Sequence, residues 1–170
     1  MATESNARAA AHRAGRLLKR NEELVEALDN IQRAVLAADV SNDDDTTVVA
    51  VTGFTAELEP GSYLFDYYLP ISTAVTTTGV KFEPTFSGTG TRCYSIVSGT
   101  ASATGMYSAS ATTGKVGPVD VPATSAVAFA RLTGSIIVTA AGTLSLGFTS
   151  EVDTSAATVK AGASMRVEQV

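Results

Sequence analysis

The hydrophobic pattern changes its period near residue 40, and this change constrains the fold more than any other feature of the chain. Before residue 40, apolar side chains recur every three or four residues, as on one face of an α-helix. After Asp45 the chain consists of short segments rich in Thr, Val and Gly, which are typical of β-strands and turns. The sequence therefore predicts an N-terminal amphipathic helix over residues 1–40, an acidic linker over residues 41–45 and a β-domain over residues 46–170.

With Asn21 at position a of a heptad, the predicted helix has a continuous apolar seam. Leu18 and Val25 at e positions make the seam wider than the band of a two-stranded coil, which favours three or more helices, or docking on another surface. A polar Asn21 at a central a position would fix one register at some cost in stability. The residues predicted to anchor or oligomerise the helix are Leu17, Asn21, Leu24, Leu28, Ile31 and Val35.

Residues 41–45 are polar and mutually repelling, and they suit a plain linker better than a calcium loop. The glycine and the terminal glutamate of the EF-hand spacing are both missing.

Charge is unevenly distributed along the chain, whose net charge is −5. Basic residues come first in the helix and acidic ones follow, which is opposite to the order that the helix dipole favours. One interpretation is that the basic turns dock on an acidic partner; the other is that the charges only solvate the outer face of a stalk. Nucleic acid is not an expected partner, because the basic cluster has no interleaved aromatic residues and the protein is acidic. The candidate docking residues are Arg8, Arg13, Arg16, Lys19 and Arg20.

From Thr46 onward, strand signals recur at the short spacing of sandwiches and barrels. The fold class expected is mainly β with an N-terminal α-helix: an antiparallel jelly-roll β-sandwich carried on an amphipathic, coiled-coil-like helix. An immunoglobulin-like sandwich is the alternative, although this sequence lacks the Cys, Trp, Cys pattern of that fold and has more predicted strands than it needs. The predicted strands are 46–54, 61–71, 80–87, 92–98, 105–112, 115–119, 125–133, 134–139, 142–149 and 163–170.

No group of residues resembles a catalytic, metal or cofactor site. Cys93 is the only cysteine and is expected to be a small buried residue of a strand, while His12, the only histidine, is expected on a solvated helix surface. The acidic pairs in the β-domain, Glu57 with Glu59 and Glu151 with Asp153, have a spacing that is common by chance. A non-enzymatic protein without cofactor or metal is therefore expected.

The N-terminus lacks the continuous apolar core of a signal peptide, and the longest apolar runs are strand-sized. We therefore expect synthesis in a reducing cytoplasm and no membrane association.

Two parts of the β-domain resemble known virion and jelly-roll proteins. The stretch Leu58–Leu69, with Thr78–Phe82 after it, looks like the early strands of small bacteriophage virion proteins. The stretches Gly134–Phe148 and Val159–Val170 are similar to the closing strands of trimeric jelly rolls of the tumour necrosis factor-like type. In that family the last strand pairs near the centre of the subunit, and three subunits pack around a common axis.

This resemblance implies a homotrimeric protein of the phage capsid surface, either a decoration or cement protein or a short head fibre, that binds the major capsid protein or another virion protein. Its helices either form a coiled coil or splay onto neighbouring subunits. The alternative is a tail or neck appendage whose jelly roll binds a receptor or a carbohydrate through exposed aromatic residues. Tyr63, Phe65 and Tyr67 share one face of their strand and are expected in the core rather than in such a site.

Overall fold

The chain divides into two compact units, Met1–Ile31 and Gln32–Val170. The computed structural model describes residues 12–22, 25, 30–75, 77–99, 106–120 and 127–170. In the first unit, residues 12–22 form helix α1, Val25 is also helical, and all of these side chains are exposed. No helix in these described ranges has the length and apolarity that a bilayer-spanning segment needs.

The second unit is built almost entirely from antiparallel β-strands, separated by short turns. The first six strands are β1 (Ile31–Val35), β2 (Val40–Asn42), β3 (Val49–Leu58), β4 (Gly61–Thr73), β5 (Gly79–Phe86) and β6 (Thr89–Gly99). The remaining six are β7 (Met106–Ala111), β8 (Val116–Asp120), β9 (Ala128–Ala140), β10 (Gly142–Ser150), β11 (Ala157–Val159) and β12 (Ser164–Gln169).

These strands form two sheets that enclose one hydrophobic core. The large sheet has the order β1-β12-β4-β9-β6-β7, and its short strands β2 and β11 extend it at the C-terminal end of β4. The small sheet has the order β3-β10-β5-β8. The chain enters and leaves the small sheet four times, at β3, β5, β8 and β10, and returns to the large sheet after each of these strands; this crossing pattern confirms the expected jelly-roll-like β-sandwich. The last strand, β12, lies inside the large sheet between β1 and β4 rather than at its edge.

Alternation along the strands, clearest in β4 and β9, places one face in the core. In β4 the side chains of Tyr63, Phe65 and Tyr67 are buried, which confirms their predicted orientation. They meet β9 residues such as Leu132 and Ile136 from the same sheet and Phe54 from the opposite sheet.

The predicted helix is too long at its C-terminal end, because Ile31–Val35 forms strand β1. Here Ala34 packs against the core and Leu36 is buried, while Arg33 and Val35 are exposed, which is an alternation of period two. The backbone N–H of Leu36 donates to the carbonyl of Ala163 at 2.8 Å. Spacings of three and four residues fit a heptad seam, but the β-branched side chains at 31 and 35 gain a strand partner here, so Ile31 and Val35 are not seam residues of a helix.

The predicted linker over residues 41–45 is also wrong, because this segment belongs to the β-unit. Strand β2 includes Asn42, whose buried amide donates to the carbonyls of Thr47 at 2.8 Å and Phe148 at 3.0 Å. One carboxylate oxygen of Asp44 accepts hydrogen bonds from the N–H groups of Thr46 and Thr47, which closes a tight turn. The predicted start of the β-domain at residue 46 therefore moves to Gln32.

Predicted strands 125–133 and 134–139 are one continuous strand, β9, from residue 128 to 140. Gly134 does not make a turn; it leaves room for the ring of Phe65, its partner on β4, whose Cζ lies 2.3 Å from where an alanine Cβ would be. Strand β11, only three residues long, was not predicted.

Cys93 faces solvent from β6, so the prediction of a buried cysteine is wrong. Its neighbours Tyr94 and Ile96 point into the core instead, because Cys93 has the opposite parity in the strand.

Candidate functional site

The outer face of the large sheet has an unusual concentration of exposed apolar side chains. Among the described strand residues, all of the exposed large apolar side chains lie on this face. The outer face of the small sheet is polar there, with Glu57, Thr143, Ser145 and Lys81 among its residues. A solvent-facing sheet normally shows this second pattern, so the large sheet has the surface that needs an explanation. The apolar side chains, which we call the outer apolar face, are Val35, Leu64, Tyr68, Val97, Phe129 and Ile137.

Charged residues in the centre of this face are paired with one another. The guanidinium of Arg131 binds Asp66 with two parallel hydrogen bonds, Nε to Oδ1 at 2.9 Å and Nη2 to Oδ2 at 2.5 Å. These bonds raise the pKa of Arg131 above its ordinary value. Arg166 lies opposite Asp66 in the sheet, and its Nη2 donates to Glu168 at 2.6 Å. The central charges therefore balance one another, and each of them has a partner.

Two aromatic rings stack on the same face, at the border of strands β4 and β9. The ring centres of Tyr68 and Phe129 lie 5.4 Å apart, and their planes differ by 22°. Both rings remain about half exposed, at 46% and 48%. Such a pair offers a flat apolar platform to a partner surface.

Small side chains beside the larger ones leave two shallow hollows on this face. One hollow of about 250 Å³ is bordered by Leu64, Asp66, Arg131 and Glu168. The other, of about 370 Å³, is bordered by Leu64, Ser95, Ser135 and the exposed Cys93. Leu64 is the ridge between them, and ridges beside hollows of side-chain size suit close packing against another protein surface.

Helix α1 places three of the candidate docking residues along one side. Arg13, Arg16 and Arg20 are spaced by three and four residues, so they form one stripe, which we call the arginine stripe and which has Leu17 at its edge. Lys19 is exposed elsewhere on the helix, as is His12, in agreement with its predicted solvated position.

The predicted anchoring residues lie in different parts of the structure. Leu17 and Asn21 are exposed on α1, Ile31 and Val35 belong to β1, and Leu24, Leu28 and the candidate docking residue Arg8 lie outside the described residues.

Among the described residues, three of the four carboxylates considered for catalysis, all except Glu59, have hydrogen-bond partners that hold the fold together. Glu57 accepts the hydroxyl of Thr143 at 2.8 Å, and Glu151 accepts the N–H of Gly79 at 3.0 Å. Asp153 accepts the N–H of Asp45 at 3.1 Å. Each of these three carboxylates fixes a turn or joins neighbouring strands.

Three acidic residues come together where two loops meet. Carboxylate oxygens of Asp44, Asp45 and Asp153 lie within 4.8 Å of one another. Hydrogen bonds from Thr47 and Thr46 hold the pKa of Asp44 well below its ordinary value. Lys115 donates to the backbone carbonyl of Asp45 at 3.0 Å, which places a positive charge against the same loop. Asp44 and Asp153 therefore accept hydrogen bonds from backbone N–H groups of the loop, and Lys115 supplies a positive charge beside the three carboxylates.

The outer apolar face was not identified from sequence, although β4 contains a signal for it. Its sequence, GSYLFDYYLPIST, has large apolar side chains at both parities, whereas a strand with one solvated face should alternate. Leu64 and Tyr68 are the outward members of that run. A strand with large side chains on both faces predicts that both faces are covered.

No protein-family model matches the sequence, and no curated protein is similar to it. Solved structures with a related outline include the Eiger TNF protein of S. frugiperda, at 10% identity and a TM-score of 0.28 over 82% of this chain and 85% of that one. The VP2 subviral particle of infectious bursal disease virus has 13% identity and a TM-score of 0.25 over 82% of this chain and 37% of VP2. A carbohydrate-binding module of a Cellvibrio mixtus lichenase has 12% identity and a TM-score of 0.25, over 83% and 88% of the two chains. The jelly-roll assignment rests on the sheet order of the protein itself.

Proposed function

We propose that this chain is a non-enzymatic structural protein of a bacteriophage virion. In this proposal it is a homotrimeric capsid decoration or cement protein, or a short head fibre, made in the host cytoplasm and attached to the capsid surface through its N-terminal helix. The observation that supports it best is the combination of an exposed helix with a separate β-unit that has a complete core and an apolar outer face. Both surfaces are suited to contact with other proteins rather than to chemistry on a small substrate.

Attachment is assigned to the arginine stripe. Arg13, Arg16 and Arg20 present three guanidinium groups on one side of the helix, and guanidinium pairs well with carboxylates of an acidic protein surface. A partner such as the major capsid protein need not bind each helix tightly. A trimer on a threefold or quasi-threefold axis makes three contacts at once, and linked weak contacts add in free energy.

The helix also supplies a seam for association of the copies. Leu17 at a d position and Asn21 at an a position are both exposed in the single chain, which is the state expected of seam residues without their partner helices.

The location on the particle is tested by immunogold electron microscopy with antibody against residues 46–170 on particles from the source lysate. Regular label over the heads is expected. Label confined to the tail would support the alternative function, and particles without label would overturn both.

That alternative is a tail or neck appendage that binds a receptor or a carbohydrate, and one observation favours it. The stacked rings of Tyr68 and Phe129 are exposed, and sugar-binding sites use such platforms. Against it, the rings lie on strands in the middle of a sheet rather than on loops at one end. Saturable binding of host cell-surface polysaccharide that is lost in Tyr68→Ala would favour this alternative.

A further inference from the structure

We propose that the outer apolar face of the large sheet is a contact surface between copies of this chain, and that the β-units themselves, not only their helices, hold the oligomer together. This inference rests on the homo-oligomer in the proposed function and names a surface for it. A contact between copies also explains why apolar strand residues of the large sheet are exposed in the single chain, which a solvent-facing sheet does not explain.

The first argument is the asymmetry between the two sheets. Leu64, Phe129 and Ile137 are 49%, 48% and 58% exposed on the large sheet. The corresponding positions of the small sheet hold residues such as Lys81, Glu83 and Thr85. Both sheets cover the same core, so the apolar residues outside the large sheet are not required by folding of a single chain.

The second argument is charge, and it favours another copy of this acidic chain over a basic partner. Residues 39–170 contain six basic and twelve acidic residues. The centre of the face contains two of each sign, Asp66 and Glu168 with Arg131 and Arg166, so its net charge is zero, with Arg33 at the β1 edge. The acidic charge of the β-unit therefore lies elsewhere, and copies that approach through this face avoid most of their mutual repulsion. A basic partner would instead be attracted to the acidic residues on the other surfaces of the β-unit.

The third argument is shape. Leu64 separates two hollows, one of which is lined by the small side chains of Ser95 and Ser135, and the flat Tyr68–Phe129 pair lies on the same surface. Ridges next to hollows allow a neighbouring copy to interdigitate at the density of a protein interior.

The exposed Cys93 provides the test, because it is the only cysteine of the chain and borders one hollow. The rate of maleimide labelling is measured on the purified full-length protein at native pH, first in the wild type and then in Phe129→Glu and Leu64→Glu. Val152→Glu is the matched control, since Val152 is 42% exposed but lies in a loop outside the large sheet. Circular dichroism and thermal melting confirm that each variant is folded.

The expected result is slow labelling of Cys93 in the wild type and in Val152→Glu, with an increase of at least about tenfold in Phe129→Glu and Leu64→Glu, because access then no longer requires opening of the contact. This result does not depend on whether the helices keep the variants oligomeric. Equal and fast labelling in the wild type and all variants would overturn the inference. Protection that appears only after capsids or host polysaccharide are added would also overturn it and would assign the face to that ligand. Unlabelled particles in the immunogold experiment, with Cys93 still protected, would overturn the virion proposal alone.

Discussion

Replacing Tyr67 with Phe should stabilise the protein, although it removes a polar group from the centre of the core. The side chain of Tyr67 is fully buried, and its hydroxyl has no hydrogen-bond partner among the described residues. Its ring lies 5.9 Å from the rings of both Phe54 and Phe65, and phenylalanine preserves these contacts. Burial also raises the pKa of Tyr67 well above its ordinary value, so the group that is removed is a neutral hydroxyl.

The magnitude follows from the cost of a buried polar group that has no partner. Such a group costs about 1–3 kcal/mol, and Tyr67→Phe should recover a similar amount of unfolding free energy. For a chain of this length each kcal/mol corresponds to a rise in melting temperature of about 2–4 °C. Urea and thermal unfolding should be compared at equal protein concentration, because association of subunits changes the apparent stability.

Tyr63→Phe is the matched control in the same strand. The hydroxyl of Tyr63 donates to the backbone carbonyl of Glu59 at 2.9 Å, so its removal should cost about 0.5–1.5 kcal/mol. The two substitutions delete the same atom from the same face of β4, and the opposite signs come only from the presence or absence of a partner. Equal or lower stability of Tyr67→Phe relative to the wild type would refute the reasoning and would mean that an internal water satisfies the hydroxyl.

Three further predictions concern the packing, the acidic turn and the helix. Gly134→Ala should lower the unfolding free energy by about 1–3 kcal/mol, because its Cβ would lie 2.3 Å from the ring of Phe65; an unchanged melting temperature would contradict this. Asp44 has a lowered pKa, so its contribution to the unfolding free energy is complete above the ordinary pKa of 3.8 and is lost as pH falls towards the folded-state pKa. Asp44→Asn should therefore flatten the acid side of the curve of melting temperature against pH. Parallel curves for the wild type and the variant would argue against this role of the Asp44 turn. Changing all three residues of the arginine stripe to Gln should weaken co-sedimentation with capsids and reduce its salt dependence, while salt-independent attachment of the unmutated protein would show that the stripe is only solvated.

The β-sandwich could be predicted from sequence because its local signals agree with the fold. Alternation in β4 placed Tyr63, Phe65 and Tyr67 in the core. Thr113–Gly114 and Ala161–Gly162 lie between predicted strands, and Gly114 and Gly162 there have φ angles of 78° and 88° that favour glycine.

The elements that were predicted wrongly depend on tertiary contacts. Apolar residues at Ile31 and Val35 fit a heptad, and only pairing with β12 makes that segment a strand. Gly134 has the composition of a turn, but it is kept extended by strands on both sides and by the ring of Phe65. In both cases a long-range partner overrides the local preference.

The candidate surface could be predicted only in part. The arginine stripe follows from helical periodicity alone, since the spacing of Arg13, Arg16 and Arg20 puts them on one side. The outer apolar face joins residues from four different strands, β1, β4, β6 and β9, so it exists only once the strand order is known.

The native mass of the purified full-length protein tests the central claim most directly, because both the helix seam and the outer apolar face are assigned to contacts between copies. Native mass spectrometry, with light scattering at micromolar concentration as the solution check, should give a species of three times the chain mass. A monomer at every concentration would contradict the account, since Leu17 on the helix and Phe129 on the sheet would then be exposed without a partner copy.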